Sequence, residues 1–103
     1  RLLDTGVDAI FAANDATASG ALEEVEARGL AVPDDVALAG FDDLDFASEL
    51  DPPLTTIRQG VHAHGSEAAR ALFGLLDSPH TPHRVLLPTE LVIRQSTVGG
   101  SLQ

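Results

Sequence analysis

The chain has 103 residues, 44% of them hydrophobic, with a formal net charge of −10 and a pI near 4.4. That length holds at most one small domain, burying about 60–65% of the surface its unfolded chain exposes. Six scattered arginines and no lysine exclude a phosphate-neutralising face for nucleic acid, Schiff-base chemistry, a P-loop lysine and the lysine of phospho-acceptor receiver domains. The absence of cysteine excludes disulfides, a thiol nucleophile and zinc–thiolate sites. No apolar run of about 18 residues occurs, so no membrane span is predicted, and no signal-peptide pattern is present. The four aromatics are all Phe, which predicts an aliphatic, alanine-rich core. Because the chain opens at Arg1 without methionine, partway into a strand-like pattern, it is expected to be a fragment of a longer protein.

Three segments run from an apolar stretch into a polar tip: Ala9-Ile-Phe-Ala-Ala-Asn-Asp15, Val36-Ala-Leu-Ala-Gly-Phe-Asp-Asp43 and Leu54-Thr-Thr-Ile-Arg-Gln59. Buried parallel strands read as short apolar runs, and ligands bind beyond their carboxyl ends. After the first run, Asp15 or Thr17 is the expected cap of a helix. Ala18, Ala21, Leu22 and Val25 recur there at helical spacing, with Glu23, Glu24 and Glu26 on the other face. Arg28 suits the negative end of that helix, and Gly29 its left-handed stop. The strand, helix and strand make a βαβ unit with a right-handed crossover.

Val32 to Asp35 reads as a turn, and Leu44 to Leu50 as a short helix halted by Pro52 and Pro53. Leu54 to Arg58 is the third strand. A second helix is predicted over Val61 to Asp77, with Val61, Gly65, Ala68, Ala69, Leu72, Leu75 and Leu76 on its apolar side. Ser78 to Pro82 is a loop, and Arg84 to Arg94 is extended. Pro88 marks an edge, a bend or a crossing there, because it cannot donate a ladder bond. The last six residues are expected to fray.

Asn14 offers a carboxamide that donates and accepts, the chemistry for sugar hydroxyls or a base edge; the alternative is that Asn14 and Asp15 merely turn the chain and cap the helix. Asp42, Asp43 and Asp45 are open to three readings: a charged acceptor for ligand hydroxyls, with Asp42 closest to the strand; a magnesium site; or an acidic loop in which Asp43 or Asp45 caps the next helix. His62 and His64 stand two residues apart on a helix and point to opposite sides, while His80 and His83 share a proline loop; neither pair argues for a metal. No Gly-x-Ser-x-Gly elbow or Gly-x-Gly-x-x-Gly fingerprint occurs, and Ser19 and Ser66 fall on predicted helices without a catalytic partner. No catalytic constellation is evident, and the chain is read as a non-enzyme needing no cofactor.

These residues give the chain a family resemblance. From about Gly6 to Thr97 it resembles the C-terminal part of the effector-binding core of LacI/GalR-family transcriptional repressors. The resemblance rests on Ala9 to Asp15 with Gly20-Ala-Leu22, and on Gly29-Leu-Ala-Val-Pro-Asp-Asp-Val36 and Gly40-Phe-Asp-Asp43. It extends through Pro52-Pro-Leu-Thr-Thr-Ile-Arg-Gln59 and Leu87-Pro-Thr-Glu-Leu-Val-Ile-Arg-Gln-Ser-Thr97. It implies an incomplete periplasmic-binding-protein-like α/β lobe of type I. Residues 6–59 would form one lobe, 60–83 a helix and loop given to the other, and 84–97 a return strand, with Pro88 in the crossing.

It further implies a cytoplasmic, ligand-responsive repressor whose effector is a sugar or a nucleoside or purine, bound by Asn14, Asp42 and Gln59. Homodimers would pair through the faces carrying Ala18, Ser19 and Leu22, and Phe46 and Leu50, with core burial the alternative for Leu22. Operator DNA would be met only through an N-terminal helix-turn-helix and hinge absent from these residues. The rival of the same fold is a periplasmic sugar-binding protein of a transporter. The rival of another class is a small metal-dependent enzyme built on Asp42, Asp43 and Asp45.

Overall fold

The apolar runs become four short strands, and the longest amphipathic patterns become two helices. The structure, a computed structural model, describes residues 2–80 and 84–98. His83 of the proline loop and the last five residues of the expected frayed end lie outside them. In chain order come a 3-10 turn at Leu2–Thr5, β1 (Ala9–Phe11), α1 (Asp15–Ala27), β2 (Ala37–Ala39) and a 3-10 helix at Asp45–Glu49. Then follow β3 (Thr56–Arg58), α2 (Val61–Asp77), β4 (Glu90–Val92) and α3 (Gln95–Val98).

β1 and β2 are parallel, with Ile10 opposite Leu38. The layer continues to β3 through parallel bridges Ala39–Thr55 and Asp42–Arg58, with Gly40 N donating to Thr55 O at 2.9 Å. β4 adds antiparallel to β3, Ile57 facing Leu91. Only residues 90–92 of the expected Arg84–Arg94 extension pair as a strand, and Pro88 lies outside it, where its missing donor costs nothing.

The core is aliphatic and rich in alanine, as composition predicted: Ala12, Ala18, Leu22, Leu38, Ala47 and Leu54 form one buried cluster, with Ile10, Ala21, Val32 and Leu50 packed against it. Ala18, Leu22 and Val25 of α1 face it at helical spacing. The helix stops where Gly29 takes φ +74°, which brings Gly29 N to Glu26 O at 2.9 Å and Leu30 N to Val25 O at 3.2 Å. Arg28 there pairs with Glu24 at 3.1 Å and Asp4 at 2.9 Å.

The return segment is pinned by hydroxyls. Ser96 Oγ accepts from Thr55 N at 2.8 Å and donates to Leu38 O at 2.5 Å, and Ser96 N donates to Pro53 O at 3.0 Å. Residues 95–98 form a short helix with Ser96 buried, and it includes Val98, the first of the six residues expected to fray. α2 behaves differently. It spans the expected residues, yet none of them is buried, and Val61, Leu72, Phe73 and Leu76 are all more than half exposed. The radius of gyration is accordingly 17.7 Å, against about 13 Å for a compact domain of this size.

Candidate functional site

Because β1, β2 and β3 run parallel, their carboxyl ends open on one rim, and Asn14, Asp42 and Gln59 stand there. Asn14 is extended at φ −159° and caps α1, its Oδ1 accepting from Thr17 N at 2.8 Å. Of the expected capping residues, the cap belongs to Asn14 and not to Asp15 or Thr17. Asp42 is half-buried, its amide donating to Ile57 O at 2.8 Å, and its Oδ1 accepts from Gln59 Nε2. The backbone sets Asn14 beside this pair, since the next amide, Asp15 N, donates to Phe41 O at 2.9 Å. Two of the three expected ligand residues are thus in direct contact, and the third precedes a residue whose amide is bonded to the neighbour of Asp42. Asn14 Nδ2, Asp42 Oδ2 and Gln59 Oε1 bond no described residue, which leaves a donor and two acceptors on the rim, a set suited to hydroxyl groups.

The neighbouring acidic residues have other tasks. Asp43 accepts from Arg58 Nε at 2.7 Å and pairs with Arg94 Nη1 at 3.0 Å; Arg94 also donates to Leu54 O at 2.9 Å, and Arg58 reaches Glu90 at 3.2 Å. Burial is the largest single influence on the Asp43 carboxyl and pushes its pKa up, but the hydrogen bonds and charges of Arg58 and Arg94 together outweigh it and hold the group below its ordinary value. Asp45 is exposed, and Leu44, not an aspartate, stands at the cap position of the 3-10 helix without a side-chain bond. With Asp43 occupied by two guanidinium groups, the aspartates form no metal cluster, and none occurs among the described residues. His62 and His80 are exposed, and His64 is half-buried.

Ala18 and Leu22 are 0% and 5% exposed. They are core side chains under the strand layer, the core-burial reading of Leu22. Ser19, Phe46 and Leu50 are half-buried.

Sequence reasoning missed the groups beneath the rim. Asp15 is fully buried, with Thr56 Oγ1 donating to its Oδ1 at 2.6 Å and Leu44 N to its Oδ2 at 2.7 Å. Thr56 is likewise buried, and Asp43 N donates to its hydroxyl at 3.3 Å. The available signal was Thr55-Thr56 inside an apolar run, because buried hydroxyls require partners.

Residues 2–97 match the family of the periplasmic binding protein-like domain, and the chain belongs to that family. It is 36% identical to the ribose operon repressor of Halalkalibacterium halodurans over 95 residues, 91% of this chain and 29% of that one. Its fold is similar to the complex of the transcriptional regulator CelR with cellobiose (TM-score 0.81, 40% identity, covering 89% of this chain and 28% of that one). It is also similar to the lac repressor dimer bound to operator and the anti-inducer ONPF (TM-score 0.80, 35% identity, 89% and 32%). The resemblance to LacI-family regulators read from the sequence is borne out, and these relatives are transcriptional regulators rather than enzymes. The chain spans under a third of the length of each.

Proposed function

We propose that this chain is part of the effector-binding core of a ligand-responsive transcriptional repressor, and that its effector is a sugar held by Asn14, Asp42 and Gln59. The observation carrying this reading is the Asp42–Gln59 pair on the carboxyl rim beside Asn14, with one amide donor and two oxygen acceptors unengaged. The complex of CelR with cellobiose supports a sugar. In this reading residues 6–59 belong to one lobe, residues 60–83 lend a helix to the other, and residues 84–97 return. The uncovered apolar side of α2 supports that division, because a helix of this kind needs a second surface against it.

Effector binding shifts the population of lobe arrangements by no more than its differential affinity for them. That shift would alter how a homodimer presents DNA-binding segments to operator in the cytoplasm. Ser19, Phe46 and Leu50 would lie on the pairing faces. Calorimetric titration of the full-length protein with ribose, cellobiose and sucrose tests the site. Glycine is the informative replacement for Asp42, whose φ is +112°, since it removes the carboxylate without opposing the backbone. Asp42→Gly should weaken binding by about 1–3 kcal/mol. Unchanged affinity would remove Asp42 from the site.

A further inference from the structure

Two successive residues of the rim, Asp42 and Asp43, take φ +112° and +55°, a conformation that non-glycine residues seldom adopt. Such a backbone persists only when its surroundings over-determine it. Beside the arginines on the Asp43 carboxylate, the surroundings beneath the backbone are one buried polar pair. A buried carboxylate must be bonded to, and the Asp15 oxygens take Thr56 Oγ1 at 2.6 Å and Leu44 N at 2.7 Å. The Thr56 hydroxyl, having donated its proton, accepts from Asp43 N at 3.3 Å. The amides of Asp43 and Leu44 are therefore both turned inward onto Asp15 and Thr56. Gly40 makes room for this: a Cβ there would lie 2.5 Å from Asp15 Oδ1 and 3.2 Å from Asp15 Cα. With the following amides drawn inward and its own amide fixed on Ile57 O at 2.8 Å, the Asp42 side chain is directed onto Gln59.

We infer that Asp15 and Thr56 are positioning residues of the rim: they touch no ligand and set the direction of the Asp42 carboxylate by holding the Asp43 and Leu44 amides from below. The rim is thereby preformed, with the orientation of its charged acceptor independent of ligand. The consequence for effector affinity rests on the function proposed above; the positioning itself does not.

The test compares Thr56→Val, which keeps the shape and deletes the hydroxyl, with Thr56→Ser, which keeps the hydroxyl, in the full-length protein. The readouts are the NMR resonance of the Gln59 side-chain amide and hydrogen exchange at the Asp43 and Leu44 amides. In Thr56→Val the Gln59 resonance should move toward that of an unbonded side-chain amide and Asp43 exchange should rise by about tenfold, the equivalent of one lost hydrogen bond. The Leu22 and Leu38 amides should keep their protection, and Thr56→Ser should restore both readouts. A folded Thr56→Val with an unmoved Gln59 resonance would overturn the inference. If Thr56→Val does not fold, the unsubstituted protein still decides: the Asp43 and Leu44 amides should exchange as slowly as Leu38, and fast exchange would refute the clamp. Titration with ribose and cellobiose separates the two proposals. If neither sugar binds while Gln59 responds as described, the positioning stands and the effector reading fails; an unresponsive Gln59 sinks the positioning whatever binds.

Discussion

Asp43 joins the tip beyond β2 to the end of β3 and to the segment that follows β4, so cutting it should loosen three segments together. Its side chain is 11% exposed and that of Arg94 17%, while Arg58 is half exposed. The Arg58 contact therefore resembles a surface pair and contributes little, and Arg58 retains Glu90. The Arg94 contact is closer to a buried pair, for which losing one partner costs about 3–5 kcal/mol, but Arg94 keeps its bond to Leu54 O. Between these limits, Asp43→Asn should cost about 2 kcal/mol, since asparagine retains the volume and tolerates φ +55°. Asp43→Ala should cost about 1 kcal/mol more, because alanine adds the left-handed penalty.

Urea unfolding of the full-length protein at neutral pH, as a cycle of Asp43→Asn with Arg94→Met, should give a coupling of about 1–2 kcal/mol. The pH dependence has a definite sign. The folded carboxyl lies below its ordinary value, so its contribution is whole above the unfolded pKa of about 3.9 and is lost as pH falls through the depressed folded value. The gap between the unsubstituted protein and Asp43→Asn should close over that acid range. A coupling below about 0.3 kcal/mol, the limit of ordinary additivity, would refute the bridge.

Asn14 has two tasks that one substitution can separate. Serine is as good a helix cap, so Asn14→Ser should change stability by less than about 0.5 kcal/mol. It removes Nδ2, however, and sugar affinity measured by calorimetry should fall by about tenfold. The glycines at 29 and 40 should resist alanine for opposite reasons, both visible in thermal melts. Gly29 has open space but φ +74°, so Gly29→Ala should cost about 1 kcal/mol. Gly40→Ala meets the Asp15 backbone at 3.2 Å and the Leu54 side chain at 3.0 Å, an overpacking cost of about 1–3 kcal/mol. It should also disturb Gln59.

Local signals carried much of the fold into view. The period of Ala18, Leu22 and Val25 with Gly29 behind it bounded α1, and the apolar period from Val61 to Leu76 located α2, because caps and periodicity are decided within a few residues. The rim was legible for the same reason: each polar tip directly follows its own strand. β4 was overextended, since an apolar stretch such as Val85-Leu-Leu87 reads as strand whether or not a neighbour is there to pair with it. Ala18 and Leu22 show the complementary ambiguity, because an apolar helix face looks alike in sequence whether it meets a core or another protomer.

What sequence could not assign were side chains whose partners lie far along the chain. Asp15 meets Thr56 across 41 residues and Leu44 across 29, and Thr55 meets Ser96 across 41. At a helix start an aspartate has an adequate local explanation as a cap, and the local explanation hides the distant one. Yet Asn14 already fills the cap, and one N-terminus needs only one. Once that is noticed, Asp15 is left over: a carboxylate following a strand of a small apolar domain, with no arginine nearby in sequence. Burial then demands hydrogen-bond donors, and a hydroxyl-bearing strand is the nearest supply. Thr55-Thr56, one of two adjacent pairs of hydroxyls in the chain beside Ser96-Thr97, stands in such a strand. The two unexplained features answer each other, which is how a buried network can announce itself before any coordinates exist.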